Sequence, residues 1–177
     1  MTVQIGTMRS SKSETYTSDI SKLYLEGIVA GTIGAATIAI LLLIWDTING
    51  QPLYTPSVLG TALFGRGEGL SSPESIRVSL EMTLMYTWVH GLVFAVIGGI
   101  ASRLLGFAEQ NPDLGFGIVL LFVLLEFGFL GAAFLLVEPV LQVQVLAWPA
   151  ILFANLLAAT AMAGYLWHQH PNLTIRP

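Results

Sequence analysis

Four stretches of this chain are almost free of charge, and each is long enough to cross a lipid bilayer. Gly27–Trp45 and Met82–Ser102 contain no Asp, Glu, Lys or Arg. Leu114–Val137 is broken only by Glu126, and Pro139–Trp167 by nothing. A helix needs about 20 apolar residues to cross about 30 Å of hydrocarbon, and all four stretches are of that order or longer. It must be a helix because lipid cannot satisfy the backbone N–H and C=O groups. The expected fold is an all-α integral membrane protein, a four-transmembrane-helix bundle with spans at 23–45, 80–105, 114–137 and 147–168. Pro149 suits the first turn of the fourth span. Residues 1–22 read as a polar arm, 46–79 as an outer loop and 169–177 as a tail.

Composition excludes the main alternatives. Only 10% of the residues are charged and 54% are hydrophobic, whereas a soluble domain is about 25% charged. Disorder requires the opposite balance. A net charge of −4 offers no basic surface for nucleic acid. With no cysteine, disulfides, thiolate metal sites and cysteine nucleophiles are out. The expected surroundings are the lipid bilayer and other membrane subunits, with a homo-oligomer as the second choice.

The positive-inside rule sets the orientation. Arg9, Lys12, Lys22, Arg103 and Arg176 fall on one side, Arg66 and Arg77 on the other. Both termini are therefore expected in the cytoplasm, across a bacterial plasma (inner) membrane. The mostly polar arm ahead of the first span does not resemble a signal peptide. Trp45, Trp148 and Trp167, at span ends, read as an interfacial belt, with Trp88 deeper and near His90.

In the outer loop, Asn49-Gly50 and Pro52 mark a turn. Thr55-Pro56 then reads as an N-cap with proline in the first turn, and Gly65 as a stop. Val58, Leu59, Ala62 and Leu63 give this short helix an apolar face for the membrane interface or a partner. Ser72-Pro73-Glu74 is a second helix start; if that helix continues into the second span, it runs from about 73 to 105. Asp46, Glu81 and Glu138 fall at the outer rim, where they are solvated helix ends or a cation-attracting ring.

Helices in lipid associate through small residues and hydrogen bonds. Gly27, Gly31, Ala35 and Ala39 form a ridge on the first span, and Gly91, Ala95, Gly98 and Ser102 another on the second. Ionisable residues inside the membrane are functional candidates, and the spans contain His90 and Glu126. Counting about 1.5 Å per residue places both roughly 12–17 Å deep. Asn155 and Thr37 reach a similar depth from the other two spans, so a buried polar layer of His90, Glu126, Asn155 and Thr37 is expected. Helices joined by a short loop are neighbours, which predicts a His90–Glu126 contact. Thr83, Tyr86 and Thr87 share the face of His90 as a polar stripe toward the outer surface. A carboxylate among Phe122, Val123, Phe129 and Leu130 has to be paired or protonated.

Such a layer serves one of three ends: a structural hydrogen-bond cluster, half of a proton or solute path, or a ligand. For the last, His90 would bind haem or a chlorin pigment axially, although His168 and His170 sit at the far end and offer no second ligand. No nucleophile–base pair or paired carboxylates appear, so no catalytic residue, metal or required cofactor is expected. The expected role is a small accessory subunit of a larger membrane complex, respiratory or photosynthetic in kind. The alternative is an oligomeric channel or transporter using His90 and Glu126.

Overall fold

The structure is a computed structural model that describes residues 3–65, 77–110, 123–128, 131 and 148–170, with side chains for 21–65, 77–104, 123–128, 131 and 152–170. All regular structure among them is helical: α1 (Val3–Ile48), α2 (Tyr54–Phe64), α3 (Leu80–Gln110) and α4 (Trp148–Gln169), with a further helical segment at 123–128. Two stretches, Ser21–Ile48 and Leu80–Leu104, are long and apolar enough to cross a membrane. The helix α4 starts beside Pro149, as its sequence predicts. Of the expected third span only 123–128 and 131 are described; Glu138, the glycine-rich 66–69, Ser72-Pro73-Glu74 and the tail from 171 lie outside the described residues.

The first helix is longer than expected. It begins at Val3 rather than near residue 23, because the polar arm holds no proline and Gly6 is its one glycine. Hydroxyls within α1 donate to carbonyls one turn back, Thr32 to Ile28 (2.9 Å), Thr37 to Ile33 (2.8 Å) and Thr47 to Leu43 (2.6 Å). This closure lets threonine sit in an apolar helix. The helix ends where Gly50 turns left-handed (φ 74°), a conformation glycine adopts without a Cβ clash.

Side chains of α1 and α2 then fix the segment that follows each. Asp46, only 3% exposed, accepts from the Thr55 backbone N–H (Oδ2, 2.7 Å) and from the Thr55 hydroxyl (Oδ1, 2.6 Å). Thr55 is thus not the N-cap of α2. The helix starts at Tyr54 after a left-handed Leu53 (φ 67°), and the carboxylate that satisfies its first turn comes from α1. Ser57 of α2 in turn accepts from the Ser79 N–H (2.7 Å), and Ser79 Oγ accepts from Met82 N–H (3.3 Å). Residues 77–79 are not helical, so α3 begins at Leu80 and the expected continuous helix from 73 does not form. Only part of the apolar face of α2 turns outward: Leu63 is exposed and Leu59 half-buried. Val58, Gly60 and Ala62 are buried, and Gly60 lies against the Met82 backbone of α3.

The crossing of α1 and α3 is glycine on glycine. A Cβ on Gly27 would stand 2.7 Å from the Gly98 carbonyl oxygen, and one on Gly31 would strike the Phe94 carbonyl. Gly34 faces Met162 of α4 and the Phe94 ring. Around these contacts lies one apolar core of Ala35, Ile38, Leu42, Phe94, Ile97, Leu125, Ala158 and Met162. Two members of the expected ridges fall elsewhere: Ala39 is exposed, and a Cβ on Gly91 would meet nothing within 4 Å.

Polar ties fix the helix directions. Ser102 of α3 donates to the Leu23 carbonyl (2.7 Å), and His170 Nε2 lies 3.1 Å from Glu26 Oε2. The C-terminal ends of α3 and α4 therefore share the end of α1 that carries Leu23 and Glu26. Both run antiparallel to α1, while α2 and Asp46 mark the opposite end.

Candidate functional site: the polar groups inside the bundle

Phe94 and Met162 both meet Gly34, which gives a common level from which to count. Toward the α2 end, Thr37 lies about 4.5 Å beyond that level, His90 about 6 Å and Asn155 about 10.5 Å, at about 1.5 Å per residue. Three expected polar residues thus fall within roughly one helical turn, and Glu126 joins them through Asn155. Asn155 Nδ2 donates to Glu126 Oε1 at 3.0 Å. Leu125, 3% exposed beside Glu126, anchors the 123–128 segment in the core.

The connections differ from those expected. Glu126 pairs with Asn155, and His90 makes no hydrogen bond to it. The His90 ring stacks between residues of its own helix, Tyr86 at 5.5 Å and Phe94 at 4.7 Å between centroids. Trp88 is 71% exposed and takes no part in that stack. His90 Nε2 is buried without a partner among the described residues. Thr37 is closed on Ile33, Thr83 donates to Ser79 O (2.9 Å) and Thr87 to Thr83 O (2.7 Å). The hydroxyl protons of Thr83 and Thr87 in the expected stripe are therefore committed to their own helix, and Thr87 is exposed.

These residues do not fit a tetrapyrrole. Nε2 is closed off by its neighbours, whereas axial ligation needs open space for a macrocycle at that nitrogen. Among the described residues no three His, Asp or Glu side chains gather as a metal site. What the arrangement can do is hold helices in register: a carboxylate–amide pair joins 123–128 to α4, and a stacked imidazole fills the α1–α3 seam.

Sequence reading missed the polar groups at the two ends. Asp46, expected at the rim, caps α2, which removes it from any rim of carboxylates. Glu26, 9% exposed, is held by His170 and by Lys22 Nζ (3.9 Å). The His170 backbone N–H bonds Leu166 O (3.1 Å) at the end of α4, while its ring reaches Glu26 of α1. Arg103 donates from Nε (3.2 Å) and Nη2 (3.0 Å) to the Tyr24 hydroxyl. Lys22 and Glu26 stand four apart on α1, a spacing legible in the sequence; for the other ties only the polar residues themselves gave a signal, since each partner lies on another element. The chain matches no protein-family model, no curated protein and no solved structure.

Proposed function

We propose that the chain is a four-crossing protein of a bacterial plasma membrane, both termini cytoplasmic, acting as a small structural subunit of a larger membrane complex. The helix directions support four crossings: α3 ends at the Glu26 end of the molecule and α4 begins at the other, and a return crossing between Gln110 and Trp148 would join the two ends. The 123–128 segment, bonded to Asn155 at mid-depth, lies on that return.

Trp88 carries the subunit role. Its indole is 71% exposed, about 12 Å along α3 from Leu80, and makes no hydrogen bond among the described residues. Tryptophan favours the membrane interface, and a buried indole N–H normally finds an acceptor. One turn away a Cβ on Gly91 would meet nothing within 4 Å among the described residues, and Leu84 and Leu92 continue the same exposed ridge. A neighbouring helix covering this ridge would supply the missing acceptor and use the Gly91 notch for close approach. Gly27, Gly31 and Gly98 are already used inside the bundle.

Extraction from native membranes in mild detergent tests this role. The chain should co-migrate with other membrane proteins, and Trp88→Ala should release it from them. A chain that runs alone after mild extraction contradicts the role. One observation favours a proton or solute path instead, the unpartnered His90 Nε2 near the level of Glu126. Such a path predicts flux in reconstituted vesicles that His90→Ala abolishes.

A further inference from the structure

The end of the bundle that carries Glu26 holds an arginine with no anion among the described residues. Arg103 is exposed, and its contacts there are to Tyr24: the two hydrogen bonds to the hydroxyl and a guanidinium 5.1 Å from the ring centroid. The carboxylate at this end, Glu26, is turned instead to His170 and Lys22. Because Nε and one Nη2 hydrogen are used on Tyr24, the guanidinium is fixed in direction. Its Nη1/Nη2 edge has no partner among the described residues, and that planar edge matches two oxygens of a phosphate.

The surface beneath is apolar and notched. One turn below Arg103 on the same helix face, a Cβ on Gly99 would meet nothing within 4 Å. One turn below Tyr24 on α1, Ile28 is exposed, and Val96 and Ile100 border the notch on α3. The Ser102–Leu23 bond and the Gly27–Gly98 contact hold the two helices together here. A fixed cation therefore stands at the polar end of an open apolar groove, within two helices of membrane-crossing length.

We propose that Arg103, Tyr24 and the Gly99 notch form a binding site for an anionic phospholipid. The phosphate lies on the free edge of Arg103, and an acyl chain runs over Gly99 between Ile28 and Ile100. This site rests on the membrane placement proposed above. Charge complementarity singles out an anionic lipid, since no carboxylate among the described residues neutralises Arg103.

The test uses the full chain reconstituted into phosphatidylcholine vesicles or nanodiscs with a minor fraction of phosphatidylglycerol, and counts retained lipid by native mass spectrometry. Wild type should enrich phosphatidylglycerol over the bulk. Arg103→Gln should lower that enrichment about tenfold, the effect of losing one charge-assisted contact, with phosphatidylcholine retention unchanged. Tyr24→Phe keeps the charge but frees the guanidinium, and should lower enrichment by a smaller factor. Arg77→Gln, at the opposite end, should leave it unchanged. Equal enrichment in wild type and Arg103→Gln overturns the site. Inorganic phosphate that displaces the lipid at equal concentration overturns the acyl groove, because the anion alone would then be recognised. A chain that fails to float with pure phosphatidylcholine vesicles overturns the membrane placement itself, an outcome distinct from a floating chain without lipid preference.

Discussion

Replacing Gly31 by alanine should break the α1–α3 crossing, and the size of the effect can be worked out beforehand. The added methyl would strike the Phe94 carbonyl oxygen, with the Phe94 carbonyl carbon at 2.6 Å and the Ala95 Cα at 2.9 Å. Carbon atoms pack best at about 3.5–4.0 Å, and all three obstacles are backbone, so relief requires the helices to part by about 1 Å. Overpacking a filled interior costs about 1–3 kcal/mol, and an interface of backbone on backbone belongs at the upper end. Alanine's helix propensity returns about 1 kcal/mol, leaving a net loss of about 2 kcal/mol. Gly91→Ala carries the same propensity gain and no clash, since its Cβ would meet nothing within 4 Å. It should be neutral or up to about 1 kcal/mol more stable. The two substitutions should therefore differ by roughly 2–3 kcal/mol in reversible unfolding in mild detergent followed by circular dichroism. Because both are Gly→Ala on one bundle, detergent and propensity effects cancel in the comparison. Equal shifts would refute the glycine-on-glycine crossing.

Asp46→Ala should cost about 1–2 kcal/mol through the lost cap and expose α2 to limited proteolysis before the rest of the chain, whereas a variant with an equally protected α2 contradicts the capping role. A double-mutant cycle on Glu126→Ala and Asn155→Ala should give a coupling of about 0.5–1.5 kcal/mol. The same cycle on His90→Ala and Glu126→Ala should give none, and the reverse outcome would restore the His–Glu pair. Ser102→Ala should cost about 0.5–1 kcal/mol by removing the inter-helix bond to the Leu23 carbonyl, read as a lower unfolding midpoint.

The helical class and the positions of three long helices were legible because hydrocarbon imposes a simple rule on any segment: few charges and enough length. Level along the helix axes follows from a constant rise per residue, and Thr37, His90 and Asn155 fall within about one turn of each other by that count. Azimuth was not legible. A step of four residues rotates by about 40° from the previous position, so a ridge followed in fours from Gly27 has turned away from α3 by Ala39, while the true seam moves through Ala30, Gly31, Gly34 and Ile38. The same ambiguity let His90 and Glu126 look like partners when level alone was known; Asn155 on α4 holds the better angle. Helix caps were misread where they are tertiary. Thr55 followed by Pro56 has the local form of an N-cap, but Asp46, on the preceding helix, supplies the acceptor. Glu26 gave no local sign of its tie to His170, which lies at the far end of the sequence.

The bundle and its placement across a membrane meet their most direct test in single-cysteine labelling, because the chain has no cysteine of its own. Lys22→Cys and Gln169→Cys lie at the end joined by Glu26 and His170, and Asn49→Cys at the end capped by Asp46. In intact bacterial cells a membrane-impermeant maleimide should label Asn49→Cys alone, and should reach Lys22→Cys and Gln169→Cys only after permeabilisation. Labelling of Lys22→Cys and Gln169→Cys from opposite sides, or recovery of all three variants in a soluble fraction, would contradict the account.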